Sequence, residues 1–484
     1  MSAPRPSWFS SLWLGRTTPG AYLATGTLLA LGLMLVEAVA ARMGFDRRSP
    51  LASYVVTGDP LGLLALGRDD RDFLLTMLLI SAPFLAAGLL LTLRRLRDAR
   101  WPLGLSAFIL APTPINVVFF AVLSQIPSRD GPAGGLEDEI DGPLPEKGPG
   151  PAGFREEAAR VFLAITVPLV AVAAAGYVAT YVLRDYGLAL FVGLPFLLPM
   201  LSVVLYGFGR GVTLGRAVQI GCLSALVAVL LMLGLAFEGI ICLLLLFPMA
   251  APIVFLGAVF GWVVVELGPK RAGARGKLVA ILFALIPALV GAEHLAAPEP
   301  LRFTCETSIE VDAPPEAVWR HVVSFSDLDP PDDWVFRTGL AYPIRARIDG
   351  SGVGAVRRCE FSTGTFVEPI EAWDEPRLLR FSVESGPPPM REWSPLFEAH
   401  PPHLDGFLVS ERGQFELIPR PGGGTLLRGS TLYRHGLWPA AYWRLWSDPI
   451  IHRIHDRVLR HIKRLAETGP RGRPRAPAPG ASPP

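Results

Sequence analysis

Hydrophobic residues follow two different patterns along the 484-residue chain. Up to about residue 296 they form continuous apolar runs about as long as the hydrocarbon core of a bilayer, which takes roughly 20 helical residues to cross. After Leu301 apolar and polar residues alternate, as they do in strands with one buried face. The chain is therefore predicted to have a membrane region followed by a water-soluble region that contains a β-sheet.

Eight apolar runs in the first region have membrane length. Seven are typical of spanning helices, whereas Pro112 and Pro114 break the run at 101–123 into two short halves. We expect this run either to cross or to enter the bilayer and return, with protein rather than lipid covering its broken backbone. The runs lie at about 21–41, 73–93, 101–123, 159–183, 186–208, 217–236, 240–265 and 278–296.

The same patterns divide the chain into five segments. A stretch rich in Gly, Pro and acidic residues predicts a flexible linker between two membrane units, and the Pro- and Arg-rich end predicts a disordered tail. The expected segments are an N-terminal membrane unit of three runs at 1–123, the linker at 124–157, a second membrane unit of five spans at 158–298, the soluble domain at 301–467 and the tail at 468–484.

Basic residues in the loops predict the orientation of the chain, because cytoplasmic loops carry an excess of Lys and Arg. With a cytoplasmic N-terminus and eight crossings, the basic loops at 210–216 and 270–277 would lie outside. If 101–123 is re-entrant, both loops lie inside, together with the basic cluster at 94–100. We therefore favour a multi-pass protein whose C-terminal domain lies outside the cytoplasm. The opposite orientation stays open, because the acidic loop at 136–146 would otherwise lie inside.

The soluble region is predicted to contain a strand, a short helix, a series of strands and one long helix. The first strand ends at Asp312, and prolines then begin a short helix with Val318 and Val322 on one face. A hairpin turn is expected at 421–424, between the last two strands. The later strands are predicted at about 340–348, 352–361, 364–373, 377–385, 407–418 and 425–433, and the amphipathic final helix at about 439–467.

This order of elements resembles the SRPBCC superfamily, also called START-like or Bet v 1-like, and is most similar to its polyketide cyclase/dehydrase and lipid-transport branch. The likeness covers residues 301–467 and includes a D-A-P-x-E-x-V-W motif at 312–319. It implies a helix-grip domain, in which a curved antiparallel sheet wraps the long C-terminal helix around an apolar cavity. The expected fold is thus a polytopic α-helical membrane domain followed by an α+β helix-grip domain.

A second likeness concerns residues 20–127. The sequence RRLRD at 94–98, followed by a Trp-containing apolar run, resembles a small bacterial inner-membrane family of unknown function whose motif is Arg-Arg-Leu-His-Asp. Arg97 stands where that family has His, and the likeness implies no activity. We expect Arg94 and Arg95 to be interfacial charges that set the orientation of the membrane region.

Candidate ligand-binding residues lie where a helix-grip fold places the sheet against the final helix. Arg357, Cys359 and Phe361 share one strand face, and Phe381 belongs to the alternating face of a later strand. If these faces point inward, Arg357 could hold an anionic head group, while Cys359 is typical of a small buried hydrophobe. His455 borders the apolar face of the final helix, either as a hydrogen-bonded core residue or as a polar group in the cavity.

Two carboxylates are further candidates for function. Glu392 follows the rigid segment 387–389, which could form a lip of the cavity, and a carboxylate beside an apolar cavity has a raised pKa. Glu392 and His455 are therefore candidates for an acid and a base, unless Glu392 lies in a solvated loop. Glu238 is a candidate within the membrane region, where a carboxylate is costly, unless it lies in an interfacial loop.

Composition limits the partners to be expected. Hydrophobic residues make up 51% of the chain and the mean hydropathy is +0.39, values that indicate an integral membrane protein. A net charge of +2, without a basic block interleaved with aromatic residues, gives no indication of nucleic acid. The four cysteines form no metal-ligand pattern, and no glycine-rich phosphate or dinucleotide motif predicts a cofactor. Arg greatly outnumbers Lys, which with abundant Ala, Gly and Pro suggests a bacterium and hence its inner, or plasma, membrane.

Three hypotheses follow for the function. The first is a membrane-tethered domain that binds a hydrophobic small molecule or lipid in a START-like cavity. The second is an enzyme of the cyclase or dehydratase type that uses the same cavity, and the third is a non-catalytic sensing or assembly module. The sequence leaves open whether the protein is an enzyme, because many activities share this fold.

Overall fold

A computed structural model describes most of the chain, namely residues 16–45, 68–110, 113–126, 128, 151–268, 271–296, 300–394 and 398–468. Most of the expected linker at 124–157 and nearly all of the expected tail at 468–484 lie outside these residues. The chain divides into two compact units, one formed mostly by residues up to 299 and the other mostly by residues from 300 onward.

The first unit is helical. Among the described residues seven helices are long and apolar enough to cross a membrane, which confirms the predicted region of seven spans. The Pro-broken run forms a short 3₁₀ helix at Leu103–Leu110 and a 13-residue helix, so its crossing or re-entry stays a prediction. The α-helices are α1 (Pro19–Phe45), α2 (Arg68–Ala99), α3 (Thr113–Gln125), α4 (Pro151–Tyr177), α5 (Leu194–Tyr206), α6 (Leu214–Gly234), α7 (Ile240–Leu267) and α8 (Ala272–Ala296).

Small residues allow helix α7 to approach helix α5 closely. Gly257 and Gly261 lie one turn apart on α7, and a Cβ atom at these positions would be 2.3 Å from the carbonyl oxygen of Phe196 and 2.8 Å from that of Met200. Helices in membranes pack through such small residues because close backbone contact replaces the missing hydrophobic effect. Helix α5 accordingly lies at the centre of this unit, with most of its side chains buried.

Arg95 does not lie at the surface of the helical unit, contrary to the expectation for Arg94 and Arg95. Its side chain is 0% exposed. The guanidinium donates to the carboxylate of Asp98 at 2.6 Å, to the carbonyl oxygen of Leu123 at 3.1 Å and to that of Ile126. Arg95 therefore ties the end of α2 to the end of α3, because carbonyl groups at a helix C-terminus lack partners within the helix.

The second unit combines a seven-stranded antiparallel sheet with a long C-terminal helix, which confirms the predicted α+β helix-grip architecture. Its strand order is β1-β9-β8-β5-β4-β3-β2, and a separate two-stranded sheet, β6-β7, was not predicted. The elements are β1 (Leu301–Val311), α9 (Pro315–Val323), α10 (Trp334–Arg337), β2 (Pro343–Asp349), β3 (Val356–Phe361), β4 (Gly364–Asp374), β5 (Leu378–Ser382), β6 (Glu392–Trp393), β7 (Glu398–Ala399), β8 (Leu408–Pro419), β9 (Thr425–His435) and α11 (Ala440–Thr468).

The core of this unit lies between the sheet and α11. Leu379, Leu417 and Leu427 on three neighbouring strands pack with Leu459 and Ile462 of α11, and all five are almost fully buried. Alternation along the strands and a three- or four-residue spacing along the helix produce these two matching faces. The sequence motif around α9 contributes Trp319, whose ring meets that of Trp373 edge to face at 5.5 Å.

The predicted turn between the last two strands is confirmed by their pairing. Strands β8 and β9 pair antiparallel from Pro419 opposite Thr425 to Arg412 opposite Leu432, and a bulge between Arg412 and Ser410 then shifts the register. Gly422 and Gly423 have φ angles of +100° and +94°, which glycine adopts without the strain that a side chain would cause. This hairpin fixes the register of β8 against β9 and so sets which of their residues face α11.

Candidate functional site

A partly open cavity of about 130 Å³ lies between the sheet and helix α11. Its wall is mainly aromatic and aliphatic, with polar groups from β3, β4, β8, β9 and α11. The lining residues are Phe325, Arg357, Cys359, Phe361, Phe366, Glu368, Phe381, Val383, Ser410, Arg412, Gly413, Gln414, Phe415, Gly429, Ser430, Thr431, Ile451, Ile454, His455, Val458 and Leu459.

All five residues predicted to contact a ligand line this cavity. Arg357, Cys359 and Phe361 form one inward row on β3, with Phe381 on β5 and His455 on α11. The neighbouring Arg358 faces outward and pairs with Asp349 at 3.2 Å, as the two-residue period of a strand requires. The structure thus brings the predicted residues together, while ligand binding by them stays a prediction.

Arg357 forms a buried ion pair with Glu368 at the cavity wall. The two side chains are 2% and 7% exposed, and the guanidinium Nη1 donates to the carboxylate of Glu368. They meet because β3 and β4 pair antiparallel, with Arg357 directly opposite Glu368. Burial raises the pKa of the Glu368 carboxyl, and the adjacent Arg357 guanidinium opposes this shift.

Aromatic rings surround the guanidinium of Arg357. Its central carbon lies 5.4 Å from the ring centre of Phe325, 5.1 Å from that of Phe381 and 5.7 Å from that of Phe415. These distances are within the range of cation–π attraction, which gains strength when water is excluded. The Nε atom of Arg357 is buried and has no hydrogen-bond partner among the described residues.

Glu368 was not predicted from the sequence, although a signal for it exists. It alternates with Phe366 and Ile370 along β4 and therefore belongs to the buried face of that strand. Two residues separate β3 from β4, and this short turn places Arg357 opposite Glu368 once both strands are assigned. The ion pair could therefore have been predicted from two features together. Glu368 alternates with buried residues, and a short hairpin places it opposite an arginine.

His455 lies between two threonine hydroxyl groups. Its Nε2 atom is 2.8 Å from Thr431 Oγ1 and its Nδ1 atom is 3.1 Å from Thr307 Oγ1. Burial lowers the pKa of His455 to about 4, so the imidazole is neutral at physiological pH. His455 is thus hydrogen-bonded and also lines the cavity, while a role for it toward a ligand stays a prediction.

The buried environment of Cys359 favours its thiol form over the thiolate. Burial raises the pKa of its thiol to about 12, and only the thiolate form is strongly nucleophilic. The side chain is 5% exposed and belongs to the core cluster of the unit. Cys359 therefore contributes apolar surface to the cavity wall.

The structure does not place the two carboxylate candidates in the cavity. Glu392 is buried at the start of β6 and is absent from the cavity lining, so it does not form an acid–base pair with His455 there. Glu238 lies in the connection between α6 and α7, outside both candidate spans. That position accounts for Glu238 without the cost of a carboxylate inside a bilayer.

A wider charged cleft of about 760 Å³ lies on another face of α11. Four arginines of the helix line it, but these side chains have partners in the protein. Arg464 pairs with Asp329 at 2.6 Å, Arg453 pairs with Asp333, and Arg457 donates to the carbonyl oxygen of Pro343 at 3.2 Å. The cleft is therefore a hydrated network of ion pairs. The aromatic cavity is the better candidate site for a hydrophobic ligand.

The position of Gly413 tests how tightly the cavity wall is packed. Gly413 pairs with Phe381 across β8 and β5, and a Cβ atom there would lie 2.5 Å from two ring atoms of Phe381. We expect Gly413→Ala to lower the free energy of unfolding of this unit by about 1–3 kcal/mol, since overpacking forces the buried ring to move. Urea unfolding of the full chain, followed by tryptophan fluorescence, would measure the loss.

Gly429→Ala is the matched control for this substitution. A Cβ atom at Gly429 would meet Leu459 and Phe415 at 3.6 Å, which is ordinary van der Waals contact. Its effect is expected to be within about 0.5 kcal/mol. Equal losses for the two variants would contradict the tight packing of Phe381 on Gly413.

Comparison with known proteins agrees with this geometry. Residues 302–432 match the family described as "Polyketide cyclase / dehydrase and lipid transport". That segment is thus an SRPBCC domain of this type, and such domains bind hydrophobic ligands in general. No curated protein matches the chain. The second likeness, of residues 20–127 to a bacterial inner-membrane family, gains no support.

Several solved structures are similar to the same part of the chain. Norcoclaurine synthase from Thalictrum flavum is 14% identical, covers 35% of this chain and 96% of its own, and gives a TM-score of 0.25. The Zhui aromatase/cyclase from Streptomyces sp. R1128 is 16% identical, with 34% and 94% coverage and a TM-score of 0.25. A protein from Nitrosospira multiformis is 20% identical, with 34% and 94% coverage and a TM-score of 0.21.

Proposed function

We propose that the C-terminal unit binds a hydrophobic small molecule or lipid that carries a neutral oxygen group, and that the membrane region tethers this unit to a bilayer. The observation that carries the proposal is the aromatic cavity with a buried Arg357, whose charge Glu368 balances and whose Nε–H has no partner in the part of the chain that the structure describes. A buried donor without an acceptor costs about 1–3 kcal/mol, which a ligand oxygen would recover.

The charge balance favours a neutral ligand over an anion. Arg357 and Glu368 balance each other, and Arg412, which also lines the cavity, pairs with Glu371 at 3.0 Å, so a carboxylate ligand would add an uncompensated charge to a mainly apolar site. This argument revises the expectation that Arg357 holds an anionic head group. A carbonyl or hydroxyl oxygen can accept from Nε–H without that cost.

The volume of the cavity limits which part of the ligand it encloses. A dry cavity of about 150 Å³ in another protein is known to hold a benzene molecule. At about 130 Å³ this cavity is of similar size, so it encloses about one ring, and a larger ligand extends through the opening. Tethering beside a bilayer raises the effective concentration of such a lipid-like molecule.

The membrane orientation forms part of the proposal. Seven candidate spans among the described residues support a multi-pass membrane protein. If these seven cross and the run at 101–123 is re-entrant, the N-terminal and C-terminal regions lie on opposite sides of the membrane. With the N-terminus in the cytoplasm, as the basic loops favour, the C-terminal unit lies outside it. We assign the protein to a bacterial inner membrane on its composition.

Matched one-ring probes test the proposed ligand class. In the full chain in lipid nanodiscs, methyl NMR signals of Ile451 and Ile454, which line the cavity, report binding inside it. We expect cyclohexanone to bind about tenfold more tightly than methylcyclohexane, because a hydrogen bond to a charged donor is worth about 1.5–3 kcal/mol. Cyclohexanecarboxylate is expected to cause no shift.

A double variant provides the control for this experiment. Arg357→Met combined with Glu368→Met removes the ion pair and keeps an apolar wall, so the preference for the ketone should disappear while methylcyclohexane still binds. Failure of every probe to bind would contradict the ligand-binding function. Equal binding of the ketone and the hydrocarbon by the wild-type chain would contradict the role of Arg357 alone.

A further inference from the structure

A continuous chain of hydrogen bonds connects the aromatic cavity with the charged cleft. It begins at Thr431 in the cavity wall, passes to His455 Nε2 at 2.8 Å, and continues from His455 Nδ1 to Thr307 Oγ1 at 3.1 Å. The same Thr307 oxygen lies 2.7 Å from Nδ1 of His452, which is exposed and lines the charged cleft. One end of this series of hydrogen bonds therefore lies at the aromatic cavity and the other end at the charged cleft.

The chemistry of these four groups forces an ordered arrangement of protons. A hydroxyl has a single proton to donate, so of the two imidazole nitrogens at Thr307 one accepts its proton and the other donates to its oxygen. The order then continues through the ring of His455 to Thr431, because a neutral imidazole has one donor and one acceptor nitrogen. Two complete arrangements exist, and they run in opposite directions.

We propose that His452, Thr307, His455 and Thr431 form a proton relay between solvent and the cavity, which gives the domain acid–base activity on a bound ligand. This inference rests on the proposed function insofar as a ligand must occupy the cavity. It goes beyond binding, because it assigns a proton-transfer reaction to these four residues. Glu392, the acid expected from the sequence, does not line the cavity and takes no part in it.

Proton transfer through the relay is balanced in either direction, and each of the four relay residues is neutral before and after the transfer. To remove a proton from a ligand hydroxyl, the ligand O–H bond breaks and Thr431 Oγ1 gains that proton while passing its own to His455 Nε2. His455 Nδ1 then gives its proton to Thr307 Oγ1, Thr307 passes its own to His452 Nδ1, and His452 Nε2 releases a proton to water. The products are hydronium and a ligand anion that exists only transiently in the cavity, because the reversed relay returns a proton from water and restores the neutral ligand that the cavity favours.

The surroundings of the relay suit this role. Burial lowers the pKa of His455, so the ring stays neutral at physiological pH and passes protons by exchanging its tautomers. The outer imidazole of His452 lies in the cleft beside Arg453 and Asp456, in contact with solvent. Thr307 does not line the cavity, so it acts as a positioning residue that joins the two histidines.

A photoacid provides a direct test in the full chain in nanodiscs. 2-Naphthol is neutral in its ground state at neutral pH and becomes a strong acid when excited, and its deprotonated form emits at a longer wavelength. The signal to be analysed is the part of the emission that disappears when excess cyclohexanone displaces 2-naphthol, since this part comes from dye bound in the cavity. We expect the wild-type chain to show emission from the deprotonated form, reduced in D₂O.

Thr307→Val should interrupt the relay without changing the affinity for 2-naphthol. The deprotonated fraction is expected to fall by about tenfold or more, since a positioned acid–base group contributes on the order of 10²–10⁴ in rate. His452→Gln should have a similar effect and Thr307→Ser should restore the signal. Thr304→Val is the matched control, because Thr304 lies on the same strand with its side chain exposed.

The outcomes separate the relay from the binding function. If cyclohexanone displaces no 2-naphthol, the proposed binding site is wrong. The relay is overturned, although the binding site stands, if the emission that cyclohexanone removes from the wild-type chain comes only from neutral 2-naphthol. It is also overturned if Thr307→Val leaves the deprotonated fraction of that emission unchanged.

Discussion

Replacement of Arg357 by Met alone is expected to lower the free energy of unfolding of the C-terminal unit by about 3–5 kcal/mol, because it leaves the carboxylate of Glu368 buried without a counter-charge. The cost arises from desolvation, since both side chains are almost completely buried. Urea unfolding of the full chain in nanodiscs, monitored by near-ultraviolet circular dichroism, would measure it.

The double variant Arg357→Met with Glu368→Met is expected to recover most of this loss. Replacement of a whole buried ion pair by apolar residues is often neutral or stabilising by about 1–4 kcal/mol. A double variant as unstable as the single variant would show that the pair stabilises the fold through its geometry. That result would contradict the interpretation that the ion pair serves ligand binding and contributes little to stability.

The loss in the single variant should also depend on pH. Burial raises the pKa of Glu368 in the folded state, whereas the unfolded chain has a value of about 4.3. Below that value the carboxyl is protonated in both states and no charge is buried. The destabilisation is therefore expected to shrink as the pH falls toward 4 and to reach its full size above the folded-state pKa.

Replacement of Arg95 by Met is expected to have a comparable effect on the helical unit. Asp98 would lose its ion-pair partner, and the carbonyl groups of Leu123 and Ile126 would lose a donor in a buried site. We expect a loss on the order of 3–5 kcal/mol, as for other broken buried pairs. The midpoint of thermal unfolding of the full chain in detergent, followed by the fluorescence of a fused tag, would record it.

Arg94→Met is the matched control for this experiment, because Arg94 is adjacent in sequence and only partly buried. A smaller shift of the midpoint is expected for it, since a partly solvated charge costs less to remove than one partner of a fully buried ion pair. Equal shifts for the two variants would mean that Arg95 acts through its charge at the membrane surface, as the sequence alone suggested, and not through its buried hydrogen bonds.

The periodicity of the soluble region predicted its elements to within a few residues. The expected strands at 364–373 and 425–433 correspond to β4 and β9, and the final helix expected at 439–467 is Ala440–Thr468. These segments are long and strongly periodic, which makes their type easy to recognise. The small sheet of β6 and β7 was missed because strands of two residues show no period.

The candidate site was predicted in part. Alternation placed Arg357, Cys359 and Phe361 on one face, and the structure shows that this face lines the cavity. Alternation cannot choose between the two faces of a strand, since each has the same period. Glu392 does not line the cavity, and the sequence could not show this because the path of the chain after β5, rather than the local sequence, decides where this carboxylate lies.

Hydrogen-bonded partners that are distant in sequence were the least predictable feature. Thr307 and His455 lie on the first strand and the last helix, and their contact depends on how β1, β9 and α11 pack. Neither residue carries a local pattern that names its partner. The proton relay could therefore be inferred only after the sheet order had been established.

The sequence by itself determined that the chain has a region of membrane-length apolar runs, seven of them typical of spanning helices, followed by an α+β domain, because hydrophobic length and period are local properties of the chain. It also determined which residues share a face. Only the tertiary structure decided which face is inside, which carboxylate balances Arg357 and which hydroxyl groups connect His455 to solvent. These features arise from contacts between residues far apart in the sequence, and such contacts are fixed by the register and packing of whole elements.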